Sequence, residues 1–349
     1  MTAYLRPIPL TDPSPRHGAY PLAGGPVRFV DVERLSRDAP PEVVPATSLT
    51  DAERAPLIRA RAPMAGLDFS VPRLMGILNV TPDSFSDGGA FDTQAAALAQ
   101  ARRMLAEGAD LLDIGGESTR PGAAETPTEV EVARVTPVIA ALRKAGSTAP
   151  LSLDTRKSKV AKAAGADIIN DVSGLRFDPA LADVAARSGA GLILMHSIGT
   201  PETMQALAPD AYGDVLFDVY DTLAAAVAQA EAAGVPRDRI MVDPGIGFGK
   251  TDPQQIALLN RISLFHGLGC AILVGVSRKG MIGRISGEAE AARRGPGSAG
   301  IGLWAIGQGI QMLRVHDVAL HKQMIDLWWA CAHPGSATRK GGPDRKGQE

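Results

Sequence analysis

The fold is decided by a segment that reads RLMGILNVTPDSFSDGGAFDTQAAALAQARRMLAEGADLLDI and spans residues 73–114. A largely apolar run occupies 73–79, a polar loop follows it, residues 92–107 have helical spacing, and a second apolar run occupies 109–114. Near-continuous apolar runs of this length are typical of parallel strands that are covered on both faces. The segment therefore predicts a strand, a loop, a helix and a second strand.

The same alternation continues along most of the chain. Further apolar runs lie at 150–154, 166–170, 190–195, 239–243, 270–275 and 310–315, and further helical spacing lies at 128–145, 214–233 and 317–332. Eight strands, each followed by a helix, over about 260 residues predict an α/β fold, the (β/α)8 TIM barrel. The alternative is a doubly wound sheet, which usually has fewer strands in a chain of this length. Pro137 lies inside the second helical segment and is expected to kink or split that helix.

The ends of the chain do not share this pattern. We divide the sequence into an N-terminal extension, a barrel domain and a flexible tail, at 1–70, 71–333 and 334–349. The extension is expected to be partly irregular, with a hairpin across 19–35 that turns at Gly24-Gly25 and a short helix near Asp51. Two roles remain for the extension: it covers the bottom of the barrel, or it forms a dimer contact.

Composition and charge exclude several classes of protein. The formal net charge is −2 and only 4% of residues are aromatic, so we expect no nucleic-acid partner. The two cysteines, Cys270 and Cys331, are too few for a disulfide scaffold or a thiolate zinc site. The first residues lack the pattern of a signal peptide, and no apolar run reaches about 18 residues, so we expect no membrane span and a cytoplasmic location.

Polar side chains follow nearly every predicted strand, at the end of a TIM barrel where active sites lie. A single Asp at such a place is more often a helix N-cap, but eight polar strand ends together indicate a site. One set mixes acceptors and donors that suit a flat heterocycle, namely Asp154, Asn170, Asp243 and Lys279. A second set suits a phosphate or diphosphate, namely Thr119, Arg120, Arg314 and His316. Asn79 and Asp83 add oxygen donors, which Mg2+ prefers beside a phosphate.

Other residues near the strand ends have plainer interpretations. Met195 and Phe248 are expected to form an apolar pocket wall, and core packing is the alternative for both. The stretch GIGFGKT at 245–251 resembles a phosphate loop but has Pro244 where that motif needs glycine. Lys250 is therefore expected to be a surface or loop residue. Ser277 has no partners at triad spacing and is not interpreted as a nucleophile.

The motifs at the strand ends closely resemble those of the dihydropteroate synthase family, from about residue 73 to 330. They are GILNVTPDSFSDGG (76–89), DIGGESTRPG (113–122), SLDT (152–155), IINDVSG (168–174), LMHSIGTPETMQ (194–205), DPGIGFGK (243–250), SRKG (277–280) and RVHD (314–317). The resemblance implies that residues 71–333 form a pterin-binding catalytic domain. The family condenses 6-hydroxymethyl-7,8-dihydropterin diphosphate with 4-aminobenzoate, in folate biosynthesis, by dissociative loss of diphosphate and attack of the arylamine.

The resemblance also implies roles for particular residues. The pterin pocket would comprise Asp154, Asn170, Met195, Asp243, Phe248, Gly275, Lys279 and Arg314. The diphosphate pocket would comprise Asn79, Thr119, Arg120, Arg314 and His316, with Mg2+ as cofactor and Asn79 as its ligand. The aminobenzoate subsite would comprise Phe85, Pro121, Phe248 and Gly280. Catalytic roles would fall to Asp83, Arg120, Lys279, Arg314 and His316. Family members are usually homodimers, and sulfonamides compete at the aminobenzoate subsite.

Three features depart from the family pattern. The segment 160–165 is about three residues shorter than usual, almost one helical turn, so the third barrel helix should be short. Gly280 stands where many members have a hydroxyl or a larger side chain, and its backbone N–H is left to hold a carboxylate. The extension at 1–70 goes beyond the minimal barrel.

Two other functions remain as alternatives. A pterin-binding methyltransferase, which passes a methyl group from a methylated folate to a corrinoid, would share the barrel but needs no diphosphate pocket. Arg120, Arg314 and His316 count against it. A pterin-binding protein without catalysis is the third possibility, and the intact loop motifs count against that.

Overall fold

The computed structural model describes residues 3–12, 17–81, 90–118 and 122–333. Within these residues the extension folds as an antiparallel sheet around one central strand. Its strands are β1 (Tyr4–Pro9), β2 (Tyr20–Pro21), β3 (Arg28–Leu35) and β4 (Glu42–Pro45). The other three all pair with β3, and residues 22–27 join β2 to β3, so that these two strands form a hairpin. Strand β4 lies in the stretch that was expected to be irregular.

The extension continues in a short helix, α1 (Asp51–Ile58). Thr50 caps this helix through a capping box, since its side chain accepts the Glu53 N–H and the Glu53 carboxylate accepts the Thr50 N–H. Met64, Leu67 and Phe69 then pack against the first residues of the barrel strands, Met75 and Leu111 among them. The extension thereby covers the N-terminal end of the barrel.

Eight parallel strands close a barrel in which the first strand pairs with the last. They are β5 (Arg73–Asn79), β6 (Leu111–Gly115), β7 (Leu151–Asp154), β8 (Ile168–Asp171), β9 (Gly191–Met195), β10 (Ile240–Asp243), β11 (Ala271–Val274) and β12 (Met312–Val315). Each overlaps a predicted run, with ends that differ by at most two residues. The expected (β/α)8 architecture is confirmed.

Helices connect the strands and surround the barrel. They are α2 (Ala90–Ala106), α3 (Thr128–Lys144), α4 (Ser158–Ala164), α5 (Ala180–Ser188), α6 (Met204–Leu207), α7 (Val215–Ala232), α8 (Asp252–Asn260), α9 (Gly280–Ser286), α10 (Gly295–Gly307) and α11 (Val318–Ala332). Helix α4 has 7 residues and is short, as the sequence predicts. Helix α3 runs through Pro137 without being split, because Val135, Val138 and Ile139 bury its apolar face on both sides of the proline.

Candidate active site

Four side chains from four strands meet at the carboxyl end of the barrel. Arg314, on β12, donates from Nε to Asp113 Oδ2 at 2.6 Å and from Nη2 to Asp154 Oδ2 at 2.8 Å. Asn170, on β8, donates from Nδ2 to the same Asp113 Oδ2 at 3.0 Å. Because side chains alternate across each strand, the inward-facing residues at the strand ends converge inside the barrel. We call these four residues the carboxylate network.

The carboxylate network is buried and leaves two acceptors unused. Asp113 is 0% exposed and Asp154 is 6% exposed. Asp113 Oδ1 and Asp154 Oδ1 have no hydrogen-bond partner among the described residues. Burial raises the pKa of Asp154 to about 7, and the nearby Arg314 opposes that shift while Asp113 adds to it. Since a buried acceptor without a partner is costly, this end of the barrel suits a ligand that brings N–H donors.

Asp243, at the end of β10, and Lys279, in the loop after β11, form a second group. Asp243 ends β10, and its Oδ1 accepts the Gly245 N–H at 2.7 Å. Lys279 donates from Nζ to the Ile246 carbonyl, and the same Nζ lies 4.3 Å from the centre of the Phe248 ring. Burial raises the pKa of Asp243, with Lys279 opposing the shift, and burial lowers the pKa of Lys279 to about 7, with Asp243 opposing it. The pair therefore presents an acceptor, a titratable donor and an aromatic wall in one place.

Gly275 lies between the two groups. A Cβ atom there would stand 3.7 Å from Arg314 Cβ and 3.9 Å from Asp243 Oδ2, which is ordinary van der Waals contact. The space that a side chain would fill at Gly275 is therefore the space between the carboxylate network and Asp243. The structure brings the two predicted pterin groups to one pocket floor.

Asn79 lies at the other side of the carboxylate network. It is the last residue of β5, and it pairs in register with Gly115 at the end of β6. A Cβ at Gly115 would be 3.6 Å from Asn79 Oδ1 and 3.7 Å from Asp154 Oδ2. The predicted Mg2+ donor and the predicted pterin acceptor are therefore close neighbours.

The loop after β10 owes its shape to glycine and to a buried lysine. Gly245 has φ +67°, and a Cβ there would be 1.8 Å from the His196 carbonyl oxygen, which no side chain can occupy. Lys250 Nζ donates to the carbonyls of Gly245 and Phe248, each at 3.0 Å, and lies 2.9 Å from His196 Nδ1. Lys250 is a loop residue, as one of the two expectations had it, but at 1% exposed it is not a surface residue. Its side-chain nitrogen binds these loop carbonyls, and burial lowers the pKa of Lys250 well below its usual value.

His316 is held at the end of β12 by a serine from the neighbouring strand end. Ser277 Oγ accepts the His316 backbone N–H at 3.0 Å and lies 3.0 Å from His316 Nδ1. This contact orients the imidazole one residue beyond the end of β12. His316 is one of the residues predicted to bind the diphosphate. Ser277 thus orients a histidine.

The remaining predicted residues fall in three places. Met195 ends β9, is 3% exposed and packs beneath the loop at Gly245. Gly280 is the first residue of α9. Five predicted residues lie outside the described part of the chain, namely Asp83, Phe85, Thr119, Arg120 and Pro121.

Comparison with known proteins places this barrel in a family. A model of the pterin-binding enzymes, described as "Pterin binding enzyme", matches residues 75–316. The chain is 46% identical over 271 residues to the dihydropteroate synthase of Neisseria meningitidis serogroup C, covering 76% of this chain and 94% of that protein. The chain belongs to the dihydropteroate synthase family.

Solved structures of dihydropteroate synthases share the fold. One from Xanthomonas albilineans with 4-aminobenzoic acid is 44% identical with a TM-score of 0.72, and the match covers 78% of this chain and 98% of that one. Another from the same organism, in complex with 7,8-dihydropteroate, is 41% identical with a TM-score of 0.69, over 76% and 96% of the two chains. One from Yersinia pestis, in a sulfonamide drug complex, is 41% identical with a TM-score of 0.71, over 76% and 96%.

Asp113 belongs to the carboxylate network but was not among the site residues predicted from the sequence. Asp113 lies in the apolar run ADLLDI and accepts hydrogen bonds from both Arg314 and Asn170. Its signal in the sequence is a charge inside a strand that is buried on both faces, since a buried carboxylate needs a partner. Arg314, on a strand distant in sequence, is that partner in this dihydropteroate synthase family member.

The described residues contain no group of three His, Cys, Asp or Glu side chains that could hold a metal. The Mg2+ that the family implies does not need such a group, because Mg2+ keeps several waters and binds through one or two protein oxygens together with phosphate. Asn79 Oδ1, at the strand end beside Asp154, fits that requirement as a single oxygen donor.

A cavity of about 220 Å3 has Phe248 as one of its lining residues. It is lined by residues of the loops after β7, β8, β9 and β10, among them Arg156, Phe177, Ile198 and Met204. Arg156 stacks on the Phe177 ring at 4.3 Å. The cavity shares Phe248 with the predicted aminobenzoate subsite but none of the carboxylate network.

Proposed function

We propose that this chain is a dihydropteroate synthase whose carboxylate network binds the pterin ring of 6-hydroxymethyl-7,8-dihydropterin diphosphate. The observation that carries the assignment is the pair of buried carboxylate oxygens, Asp113 Oδ1 and Asp154 Oδ1, without partners among the described residues. A dihydropterin ring has amino and ring N–H donors at the edge that would face them. Asp243 and Asn170 add further polar contacts, and Met195 and Gly275 shape the floor.

The same pocket favours a dissociative reaction. Loss of diphosphate leaves a methylene carbon whose positive charge is delocalised into the pterin ring. Asp154 and Asp243 are buried carboxylates beside that ring, and they stabilise this charge as it develops. The arylamine of 4-aminobenzoate then attacks as a neutral nucleophile, so the reaction needs no strong base.

The leaving group would lie above Arg314. Two Arg314 nitrogens bind Asp113 and Asp154, and in this proposal the guanidinium would lie between the pterin and the diphosphate. His316, held by Ser277, and the loop residues Thr119 and Arg120 complete the predicted anion pocket. When bound, Mg2+ would neutralise part of the diphosphate charge, held by Asn79 together with phosphate oxygens, with Asp83 assigned a catalytic role beside it.

The aminobenzoate subsite follows from Phe248 and Lys279. The Lys279 ammonium lies over the Phe248 ring, and the α9 backbone begins directly after it at Gly280. With Gly at this position, the N–H groups that open the helix would hold the carboxylate, and Phe85 and Pro121 would cover the ring. Sulfonamides would compete at this subsite.

A product assay separates this function from its alternatives. Purified protein is incubated with the dihydropterin diphosphate, 4-aminobenzoate and Mg2+, and dihydropteroate is measured by chromatography together with released diphosphate. Equimolar formation of both is expected. Methyl transfer from a methylated folate to a corrinoid in a parallel reaction would favour the methyltransferase, and pterin binding without either product would favour a binding protein.

The homodimer and the cytoplasmic location belong to the same proposal. Helices α9, α10 and α11 carry four exposed large apolar side chains, Ile285, Leu303, Trp304 and Leu327. Such residues on consecutive helices support association with a second copy. Light scattering of the purified protein and of Leu327→Glu tests the dimer, and fractionation tests the location. No helix in the described residues is long and apolar enough to span a bilayer.

A further inference from the structure

A buried group of four charges lies under the loop between β6 and α3. Glu117, Glu131, Arg156 and Lys157 have side chains that are 0–8% exposed. Arg156 Nη2 is 3.0 Å from Glu117 Oε2, and Lys157 Nζ is 3.0 Å from Glu117 Oε1 and 2.8 Å from Glu131 Oε2. The two acids and two bases balance, so the group carries no net charge.

Lys157 uses its ammonium to hold both arms of that loop. The loop comprises residues 116–127, from the end of β6 to the start of α3. Glu117 lies at its beginning, and Thr126 lies near its end. Lys157 Nζ binds the Glu117 carboxylate and donates to the Thr126 carbonyl at 2.5 Å, while the Thr126 N–H donates to Glu117 Oε1 at 2.8 Å. With Glu131 as its third acceptor, the ammonium has a partner for each of its three N–H donors.

The same lysine is tied to the pterin pocket. Lys157 follows Asp154 by three residues, and Thr155 stands between them. The Lys157 backbone N–H donates to Thr155 Oγ1 at 3.2 Å, and Thr155 Oγ1 donates to Glu131 Oε1 at 2.6 Å. The end of β7, which carries a pterin acceptor, is therefore joined to the loop that carries Thr119, Arg120 and Pro121.

A gain in folding stability does not by itself explain why four charges are buried together here. Removing two charges from water costs about as much as their attraction returns, and apolar side chains of similar size are often as stable. What an ion group adds is a fixed geometry, because each donor must meet its acceptor. Burial raises the pKa of Glu117, but the Thr126 N–H and Lys157 outweigh it and lower that pKa, so the carboxylate stays charged.

We propose that Lys157 is a positioning residue that clamps the two described arms of this loop, residues 116–118 and 122–127, against the end of β7, so that the loop residues assigned to the diphosphate and the aminobenzoate stay in register with the pterin. The clamp acts on the second substrate and the leaving group and leaves the pterin floor unchanged. The proposal rests on the proposed function for the roles of the loop residues.

Lys157→Met is the test, with Lys159→Met as the matched control, because Lys159 is exposed on α4, two residues beyond Lys157. The expected result is a rise of at least tenfold in the KM for 4-aminobenzoate. Affinity for a dihydropterin without diphosphate should stay within about twofold of the wild type by calorimetry, and hydrogen exchange should rise in 116–127. The control should match the wild type in all three measurements.

A second variant separates positioning from folding. Lys157→Met with Glu131→Gln removes one charge of each sign and keeps the Arg156–Glu117 pair. It should restore the Tm toward the wild-type value while the raised KM remains. A wild-type KM in either folded variant would overturn the proposal, and an unfolded double variant would overturn it too, since the group would then serve folding. If the wild type itself forms no dihydropteroate, the proposed function fails, and exchange in 116–127 still tests the clamp.

Discussion

Asp154 and Asp113 both bind the guanidinium of Arg314, and burial raises the pKa of Asp154 to about 7. A carboxylate that must accept a pterin N–H has to be charged, so protonation of Asp154 competes with binding. Affinity for a dihydropterin without diphosphate should therefore rise as pH increases toward 7, by up to about tenfold per pH unit. Above pH 7 it should become constant. Calorimetry across that range measures the dependence. Asp154→Asn should show a flat profile, and an unchanged slope in that variant would assign the titration elsewhere.

The sign is the opposite for folding. Because the folded pKa of Asp154 lies above its unfolded value, the folded state binds more protons between the two. Its contribution to stability is therefore complete below the unfolded pKa and is lost as pH rises through about 7. Bound pterin should reduce this loss.

Arg314 is the cation that both network carboxylates depend on. Arg314→Ala leaves Asp113 and Asp154 buried without it, which should lower the free energy of unfolding by about 3–5 kcal/mol. It also removes a charged partner of the diphosphate, for a loss of about 10- to 150-fold in kcat/KM. Urea denaturation and steady-state kinetics measure the two effects, with the exposed Arg187→Ala as control. Wild-type values in both would contradict the assignment.

At the scale of elements, the loop after β10 depends on one buried amine. Lys250→Met keeps the length of the side chain but leaves the Gly245 and Phe248 carbonyls without that donor. Each buried carbonyl without a partner costs about 1–3 kcal/mol, so unfolding should become easier by at least that amount. Thermal denaturation measures the change, with the exposed Lys144→Met as control. A Tm equal to that of the control would show that the loop does not need the amine.

The strands were predictable from sequence for a physical reason. Parallel barrel strands are buried on both faces, so each gives an apolar run that is bounded by polar residues, and β5 and β12 show this at the two ends of the barrel. The site residues Asp154, Asn170 and Asp243 were predictable because they terminate such runs. The burial of Lys250 and the role of Asp113 were not, because their contacts with His196 and with Arg314 are distant in sequence and only packing brings them together. The continuous α3 shows tertiary packing prevailing over the preference of Pro137.

The candidate active site and the N-terminal extension lie at opposite ends of the barrel. The carboxylate network lies at the carboxyl ends of the strands, and Met64, Leu67 and Phe69 of the extension fill the opposite end. Tyr4 also fastens the extension to the outside of the barrel, since its hydroxyl donates to Asp221 at 2.9 Å and its ring stacks on Phe217 at 4.4 Å. Substitutions in the extension should therefore change stability and leave the chemistry intact.

Met64→Ala tests that separation. Met64 is 2% exposed, and its removal should leave a cavity that costs about 2–5 kcal/mol in the free energy of unfolding. The KM values for both substrates should stay at the wild-type level. Val43→Ala is the control, because Val43 is 61% exposed on the same extension. Altered KM values in a folded Met64→Ala protein would mean that the extension acts on the site.

The most direct test of the central claim is calorimetric binding of a dihydropterin without diphosphate to the wild type, to Asp113→Asn and to Asp183→Asn. Asp113 belongs to the carboxylate network, whereas Asp183 is exposed on α5. If the unused oxygens of the network bind the pterin, Asp113→Asn should lose about 10- to 150-fold in affinity at a pH above 7, and Asp183→Asn should lose none. Equal affinity in all three folded proteins would contradict the claim that this network is the pterin site.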